Sequence, residues 1–301
     1  MVEIEQLRYV RLAADDLGRS ADFAKRVLGL EPIDRSDGTA TFRSDFRDHT
    51  LAFTAGGCAE PSVGLEVRHS QDLDAALDGL QARELPAGRA TAAECAVRKV
   101  KDMAWFKDRS GNRFELVVRP LNTCWRYVPS RDSCIEGLAD VVVRSVNMEQ
   151  DLSIWTGLFG AKVSDWAGDA ASLRLDDAHH RIALFPASRP GILAVEYEVE
   201  DVNLLMRNSY VLRDLQVPIV HGPGRRPASG QLFLTFAGPS DVHFSFVAEG
   251  IKIDRERHRP RQFPAGPAGL CNWGSECKID EFLAAEPKRA DRSTVAHKGE
   301  P

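Results

Sequence analysis

The stretch that decides the fold runs from residue 222 to residue 246 and reads GPGRRPASGQLFLTFAGPSDVHFSF. A turn rich in glycine, proline and arginine comes first, and an aromatic run follows it. After a second turn, the alternation from His243 to Val247 predicts a strand. The first half of the chain has a counterpart of this strand at Phe114 to Val118.

Working outward from this stretch, the two halves follow one template. Four pairs of positions are separated by the same 131 residues, namely Tyr9 and Asp140, Gly29 and Gly160, Phe42 and Leu173, and His49 and His180. Each half opens with an apolar strand, continues with a helix-like segment that ends in a glycine, and goes on to further strands. The last strands pair Glu115 with Ser245 at an offset of 130. The order strand, helix, strands occurs twice in each half and predicts a duplicated α+β fold.

This template predicts four segments along the chain. Residues 1–118 form an N-terminal domain, residues 119–136 a linker and residues 137–248 a C-terminal domain. Residues 249–301 are rich in proline and charge with little periodicity, so they form a tail that is mostly irregular. Two apolar pieces of the tail, CNWGSE and IDEFLAA, are candidates for packing back onto a domain.

Composition excludes several classes of function. The 301 residues are 43% hydrophobic and 28% charged, which is typical of globular domains. A formal net charge of -5 without basic clusters argues against nucleic-acid and membrane-surface partners. No window reaches the roughly 18 apolar residues that a membrane span needs, and the N-terminus lacks the layout of a signal peptide, so we expect a cytoplasmic protein. The six cysteines contain no CxxC pair.

Four segments in a fixed order carry a resemblance to a known family. GLADVVVRS (137–145), AHHRIALFP (178–186), ILAVEYEVEDV (192–202) and the stretch 222–246 resemble the vicinal-oxygen-chelate (glyoxalase/bleomycin resistance/dioxygenase) superfamily and, within it, two-domain extradiol catechol dioxygenases. The similarity covers residues 5–247. It implies tandem βαβββ modules that form a cupped mixed sheet in each domain, a structural first domain and a catalytic second one. It also implies a homo-oligomer.

The resemblance implies an iron site that the chain has altered. The family binds ferrous iron with two His and one Glu, and these ligands fall on Asp140, Ala194 and Ser245. The His that follows Gly-Arg becomes Arg226, and the active-site Tyr becomes Thr235. With all three ligands replaced, we expect a site without metal or other cofactor.

The same cup still contains acid–base groups. His180 matches the family's acid/base His, and strand alternation places Glu196 on the face of Ala194 and His243 on the face of Ser245. We therefore expect an acid–base enzyme, an isomerase, lyase, hydrolase or cyclase, acting on a small aromatic-derived oxygenated compound. The expected catalytic residues are His180, Asp140, His243 and Glu196, and the expected substrate-binding residues are Arg226, Thr235, Ser245 and Ala194.

Several alternatives stay open at this stage. Asp140, Glu196 and His243 could hold Fe²⁺ or Mn²⁺ at a relocated site, which would revive the ring-cleaving reading. The cup could also bind a small molecule without turning it over. On a strand only one of His179 and His180 can face inward. His49 and Asp45 could belong to a small polar pocket, although a solvated hairpin is the more economical interpretation.

Overall fold

A computed structural model describes residues 1–36, 38–56 and 60–283. The first module is an eight-stranded mixed sheet of order β2-β3-β4-β1-β5-β8-β7-β6. Its strands are β1 Gln6–Ala14, β2 Glu31–Arg35, β3 Thr39–Arg43, β4 Leu51–Ala55, β5 Ser62–Val67, β6 Ala87–Arg89, β7 Val100–Lys107 and β8 Arg113–Pro120. Its helices are α1 Leu17–Phe23, extended by a π-helical turn at Ala24–Leu28, then α2 Ser70–Gln81 and α3 Ala92–Arg98.

The second module repeats the strand order of the first. Its strands are β9 Ile135–Ser145, β10 Lys162–Ala167, β11 Ala170–Arg174, β12 Ile182–Pro186, β13 Gly191–Val199, β14 Ile219–Arg225, β15 Leu232–Ala237 and β16 His243–Ala248. Its helices are α4 Met148–Gly157 and α5 Val202–Asp214. The sheet order is β14-β15-β16-β13-β9-β12-β11-β10, with β17 Arg261–Phe263 added beside β10. The predicted α+β fold of tandem modules is confirmed.

The C-terminal segment packs on the second module. After β17 it forms two short helices, α6 Pro267–Leu270 and α7 Asp280–Leu283. Residues 284–301 of the predicted tail lie outside the described residues. No helix within the described part of the chain has the length and apolar character that crossing a bilayer requires.

Local sequence explains how α5 is placed. Asp201 caps its N-terminus by accepting a hydrogen bond from the backbone N–H of Leu204 at 2.9 Å. Leu205 and Leu212 are seven residues apart, lie on one helix face and are fully buried. The helix therefore covers the outer face of the sheet and leaves the inner face of the cup open to other groups.

One apolar core joins the two modules. Trp155 of α4 contacts Phe114 of β8, with ring centroids 4.8 Å apart in an edge-to-face arrangement, and Phe159 stacks on Phe106 at 5.1 Å. On the other side, Phe23 of α1 lies 5.1 Å from Phe244 of β16. Aromatic pairs of this kind stabilise an interface beyond their buried area. The modules are thus held against each other by the faces that carry α1 and α4.

The cup of the first module is filled by its own side chains. Glu115 is fully buried and accepts hydrogen bonds from Tyr9 Oη at 2.7 Å and from Arg98 at 2.5 and 2.8 Å. A Cβ at Gly64 would lie 2.4 Å from the Tyr9 ring, so no larger residue fits there. The buried Glu115 is fully paired, which gives it a structural role.

Candidate active site

A row of polar side chains crosses the second sheet. In strand register, Asp140 pairs with Glu196, Glu196 with Ser245, Ser245 with Thr235, and Thr235 with His221. Directly paired residues on neighbouring strands project to the same face of a sheet. All five residues are at most 2% exposed. The cup of the second module is therefore lined by a continuous polar row buried away from solvent.

Three side chains of this cup converge as metal ligands would. Atoms of Asp140, His180 and Glu196 lie within 4.8 Å of one another, and His180 Nε2 is 3.6 Å from Asp140 Oδ1. Asp140 Oδ1 is buried and has no hydrogen-bond partner among the described residues. Burial, together with the charge of Glu196, holds the pKa of Asp140 well above its usual range. An unpartnered buried carboxylate oxygen calls for a proton or a cation.

Arg226 fixes the position of Glu196. Its guanidinium donates to both carboxylate oxygens, at 2.5 and 2.7 Å, and also to Gln231 Oε1 at 2.5 Å. Ser245 Oγ donates to Glu196 Oε1 at 3.2 Å, and Thr235 Oγ1 lies 2.9 Å from Ser245 Oγ. Four of the expected site residues, Arg226, Glu196, Ser245 and Thr235, thus form one hydrogen-bonded group.

Both adjacent histidines face inward. The expectation that only one could do so assumed a strand, but His179 and His180 lie in the loop before β12, where side chains need not alternate. Their Nδ1 atoms are 3.0 Å apart, and His179 Nε2 is 3.0 Å from Asp165 Oδ2. Burial lowers the pKa of both rings, that of His180 well below its ordinary value.

A small cavity of about 60 Å³ opens beside this group. Its polar lining includes His180, His221 and Arg226, together with His179 and two serines. The remaining wall is largely apolar and includes Val142, Ala183, Phe185, Leu270 and Phe282. Such a site suits a small ligand with an oxygen-bearing edge and an apolar body.

His221 was missed by the sequence analysis. His221 comes directly before the Gly-Pro turn, and the resemblance assigned a role only to Arg226 in that turn. The pairing of β14 with β15 places His221 in the polar row. Its Nε2 is buried without a hydrogen-bond partner among the described residues. Burial and the nearby Arg226 lower the pKa of the ring to about 4, so it is neutral at pH 7.

Two expected site residues lie apart from the converging group. The register pairs Ala194 with Val142 and His243, and Ala194 packs in an apolar cluster with Val142 and Ala183. In this register Glu196, and not Ala194, stands opposite Asp140. His243 begins β16, two residues before Ser245, and the charges that act on it are those of Arg144, Asp241 and Glu281 rather than those of the converging group.

Residues 6–116 match the Glyoxalase/Bleomycin resistance protein/Dioxygenase superfamily. Over nearly the whole chain, the sequence is similar to an iron-dependent extradiol dioxygenase of Rhodococcus jostii (strain RHA1). That relative is 24% identical over 309 residues, with 92% of this chain and 99% of the relative covered.

Solved structures share the complete two-module fold. A halotolerant catechol dioxygenase superposes with a TM-score of 0.84 at 21% identity and covers 94% of this chain and 98% of its own. The Mn(II)-bound glyoxalase from Novosphingobium aromaticivorans also gives a TM-score of 0.84, at 23% identity, with 96% and 97% covered. At these identities the structural likeness concerns the fold.

The prediction of a site without metal or cofactor is wrong. It rested on the loss of the family's three ligands, yet Asp140, His180 and Glu196 bring three ligand-type atoms together in the same cup. The related proteins include one named as iron-dependent and one with bound Mn(II). The sequence argument failed because it fixed the second position at Ala194 and treated His180 only as an acid/base group.

Proposed function

We propose that this two-module protein of the Glyoxalase/Bleomycin resistance protein/Dioxygenase superfamily is a metal-dependent enzyme of the extradiol-dioxygenase type. Asp140, His180 and Glu196 would hold Fe²⁺ or Mn²⁺, and the substrate would be a small aromatic compound with two adjacent hydroxyl groups. The observation that carries the proposal is the convergence of these three buried side chains within 4.8 Å. Imidazole and carboxylate ligands suit both metals.

The charge of the site supports this ligand set. A set of two neutral His and one Glu has a formal charge of about -1, whereas Asp140, Glu196 and neutral His180 sum to about -2. The guanidinium of Arg226, bound to both oxygens of Glu196, restores the total to about -1. Asp140 Oδ1, which has no hydrogen-bond partner among the described residues, would gain a partner in the cation.

Bound metal would supply the Lewis-acid and redox chemistry that the reaction of an aromatic diol with dioxygen needs. The protein's own side chains position the metal ligands, exclude water and bind the substrate. Ser245 and Arg226 hold Glu196 in place, and the apolar wall, including Phe185, keeps water from the ring. The neutral His221 ring, which has a nitrogen without a partner, is placed to accept a hydrogen bond from a substrate hydroxyl. Ring cleavage would incorporate both atoms of dioxygen into one open-chain product.

A second candidate is metal-assisted isomerisation or lyase chemistry without dioxygen. The size of the cavity favours it, because about 60 Å³ is less than the ~150 Å³ known to admit benzene. A small non-aromatic compound with adjacent oxygen atoms would fit without movement of Leu270 or Phe282. Oxygen consumption separates the two candidates, because only ring cleavage uses dioxygen.

The test is metal content followed by oxygen uptake. Protein purified in chelator is titrated with Fe²⁺ under nitrogen, and bound iron is measured after desalting. We expect about one equivalent in the wild type and less than a tenth of that in Asp140→Asn, because one negatively charged ligand is lost. Oxygen uptake is then recorded with catechol and 4-methylcatechol as probes.

The matched control is His49→Gln, the counterpart of His180 in the first module, which should bind iron as the wild type does. Equal iron in wild type and Asp140→Asn would contradict the ligand assignment. Stoichiometric iron without oxygen uptake from either probe would favour the second candidate.

A further inference from the structure

The contact between His179 and His180 constrains where their protons lie. The two Nδ1 atoms are 3.0 Å apart, which is a hydrogen-bond distance between ring nitrogens. One of the two must donate and the other accept, so a single proton lies between them. Whichever ring carries it determines the state of His180 Nε2, the atom that faces Asp140.

Asp165 decides which ring carries that proton. Its carboxylate accepts from the backbone N–H of Arg261 at 2.7 Å and from Arg261 Nη2 at 2.6 Å, and these bonds outweigh burial and lower the pKa of Asp165. An ionised carboxylate can only accept, so His179 must donate to it from Nε2. A neutral His179 then has a free lone pair on Nδ1, and His180 must be the donor of the shared proton.

We propose that Asp165 and His179 are positioning residues that hold His180 in the tautomer with its proton on Nδ1, so that its Nε2 lone pair points at Asp140. The value of this tautomer for metal binding rests on the proposed function, but the tautomer itself does not. A lone pair on Nε2 is what a metal requires of imidazole, and the hydrogen bond on the other ring nitrogen is what normally fixes it.

The first module contains a simpler arrangement, in which a carboxylate contacts the corresponding histidine directly. The counterparts of His179 and His180 at an offset of 131 are Asp48 and His49, and Asp48 Oδ2 contacts His49 Nδ1 directly at 3.1 Å. In the second module the imidazole of His179 lies between the Asp165 carboxylate and the ring of His180. The carboxylate is thereby moved to β10, where β17 can hold it through Arg261. The C-terminal segment thus acts on His180 through Asp165 and His179.

The direct test is a long-range ¹H–¹⁵N spectrum of metal-free wild-type protein labelled at histidine. The His179 and His180 signals are assigned by their loss in His179→Gln and His180→Gln. We expect His180 to show a protonated Nδ1 and an unprotonated Nε2, and His179 the opposite. A proton on His180 Nε2, or a doubly protonated His179, would overturn the proposal without reference to metal.

The variant that tests the cause is Asp165→Asn. Its amide can donate to His179 Nε2, which would reverse both hydrogen bonds and put a proton on His180 Nε2. We expect that reversal in the spectrum and about 10- to 100-fold weaker Mn²⁺ binding, the range found when such outer partners are lost.

The control is Asp48→Asn, which should change the spectrum of His49 and leave Mn²⁺ binding intact. An unchanged His180 tautomer in folded Asp165→Asn would show that Asp165 does not set it. If wild-type protein has the expected tautomer but binds no Mn²⁺ or Fe²⁺, the proposed function fails while the positioning of His180 stands.

Discussion

At the scale of single residues, the position of Arg226 accounts for two buried carboxylates in one cup. Asp140 and Glu196 are each 1% exposed and face each other across paired strands. Two buried like charges repel strongly, and the raised pKa of Asp140 reflects burial and that repulsion. The Arg226 guanidinium stabilises the charge of Glu196, whereas Asp140 requires a proton or a cation.

Replacing Arg226 should therefore destabilise the metal-free protein more than the metal-loaded protein. In Arg226→Gln the charge of Glu196 loses its partner, and breaking a buried ion pair from one side typically costs ~3–5 kcal/mol. A bound cation would offset part of that loss. We expect the difference in urea-unfolding free energy between Mn²⁺-loaded and metal-free protein to be larger in the variant than in the wild type.

The neighbouring Arg225 provides the control. It pairs at the surface with Glu249 at 2.7 Å, where an ion pair contributes ~0–1 kcal/mol. Arg225→Gln should leave the effect of Mn²⁺ unchanged. An equal loss of stability with and without Mn²⁺ in Arg226→Gln would argue against a cation site beside Glu196.

At the scale of elements, the turn between β7 and β8 ties the first module to β9. Asp108 accepts from Asn112 N at 2.7 Å, and Asn112 Nδ2 donates to the backbone carbonyl of Arg144 at 2.8 Å. Burial and the charge of Asp151 raise the pKa of Asp108 to about 7. A carboxyl whose pKa is raised in the folded state stabilises the fold below its unfolded pKa and loses that contribution as pH rises through the folded value.

This sign gives a pH prediction. The contribution of Asp108 is complete below about pH 4 and is lost by about pH 7. Asp108→Asn cannot ionise, so its unfolding free energy should fall less between about pH 5 and about pH 8 than that of the wild type. The measurement is urea unfolding at both pH values. A steeper fall in the variant would contradict the assignment.

The helix α7 limits the size of the cavity through Phe282. Its ring lies 4.6 Å from Phe185 and 6.0 Å from His221, both of which line the cavity. Phe282→Ala should enlarge the cavity and destabilise the protein by ~3–5 kcal/mol. If the substrate occupies this cavity, KM for a bulky catechol should fall relative to KM for catechol itself. Parallel changes in both KM values would place substrate binding elsewhere.

The succession of strands and helices along the chain could be predicted from the sequence, but the register of the strands could not. The offset of 131 residues predicted two copies of one module, which the sheets confirm. The pairing of β9 with β13 contains three register shifts, including one between Ile192 and Ala194. Each shift moves side chains by one position relative to the partner strand. The shift between Ile192 and Ala194 places Glu196, rather than Val195, opposite Asp140. His221 had no signal in the sequence beyond its place before a turn.

At the scale of the whole molecule, the aromatic contacts across the modules predict joint unfolding. Trp155 is fully buried and contacts Phe106 and Phe114 of the other module. Trp155→Ala should lower stability by ~3–5 kcal/mol. Calorimetry should show one transition in the wild type and a lower, broader one in the variant. Two separate transitions in the wild type would mean that the modules are stable independently.

Composition and resemblance also predicted the domain boundaries, the oligomeric state and the cellular location of the protein. The domain boundaries at residues 118, 136 and 248, the homo-oligomer and the cytoplasmic location stay predictions. Oligomeric state in particular depends on how the surfaces of two copies fit together, and a sequence pattern does not show that fit.

The most direct test of the account is the metal content of chelator-treated protein after titration with Fe²⁺ or Mn²⁺ under nitrogen, in wild type and Asp140→Asn. The account predicts about one equivalent of tightly bound metal in the wild type and its loss in the variant, because Asp140, His180 and Glu196 form one ligand set. Wild-type protein that retains neither metal would contradict it and would leave the buried carboxylates to be satisfied by protons.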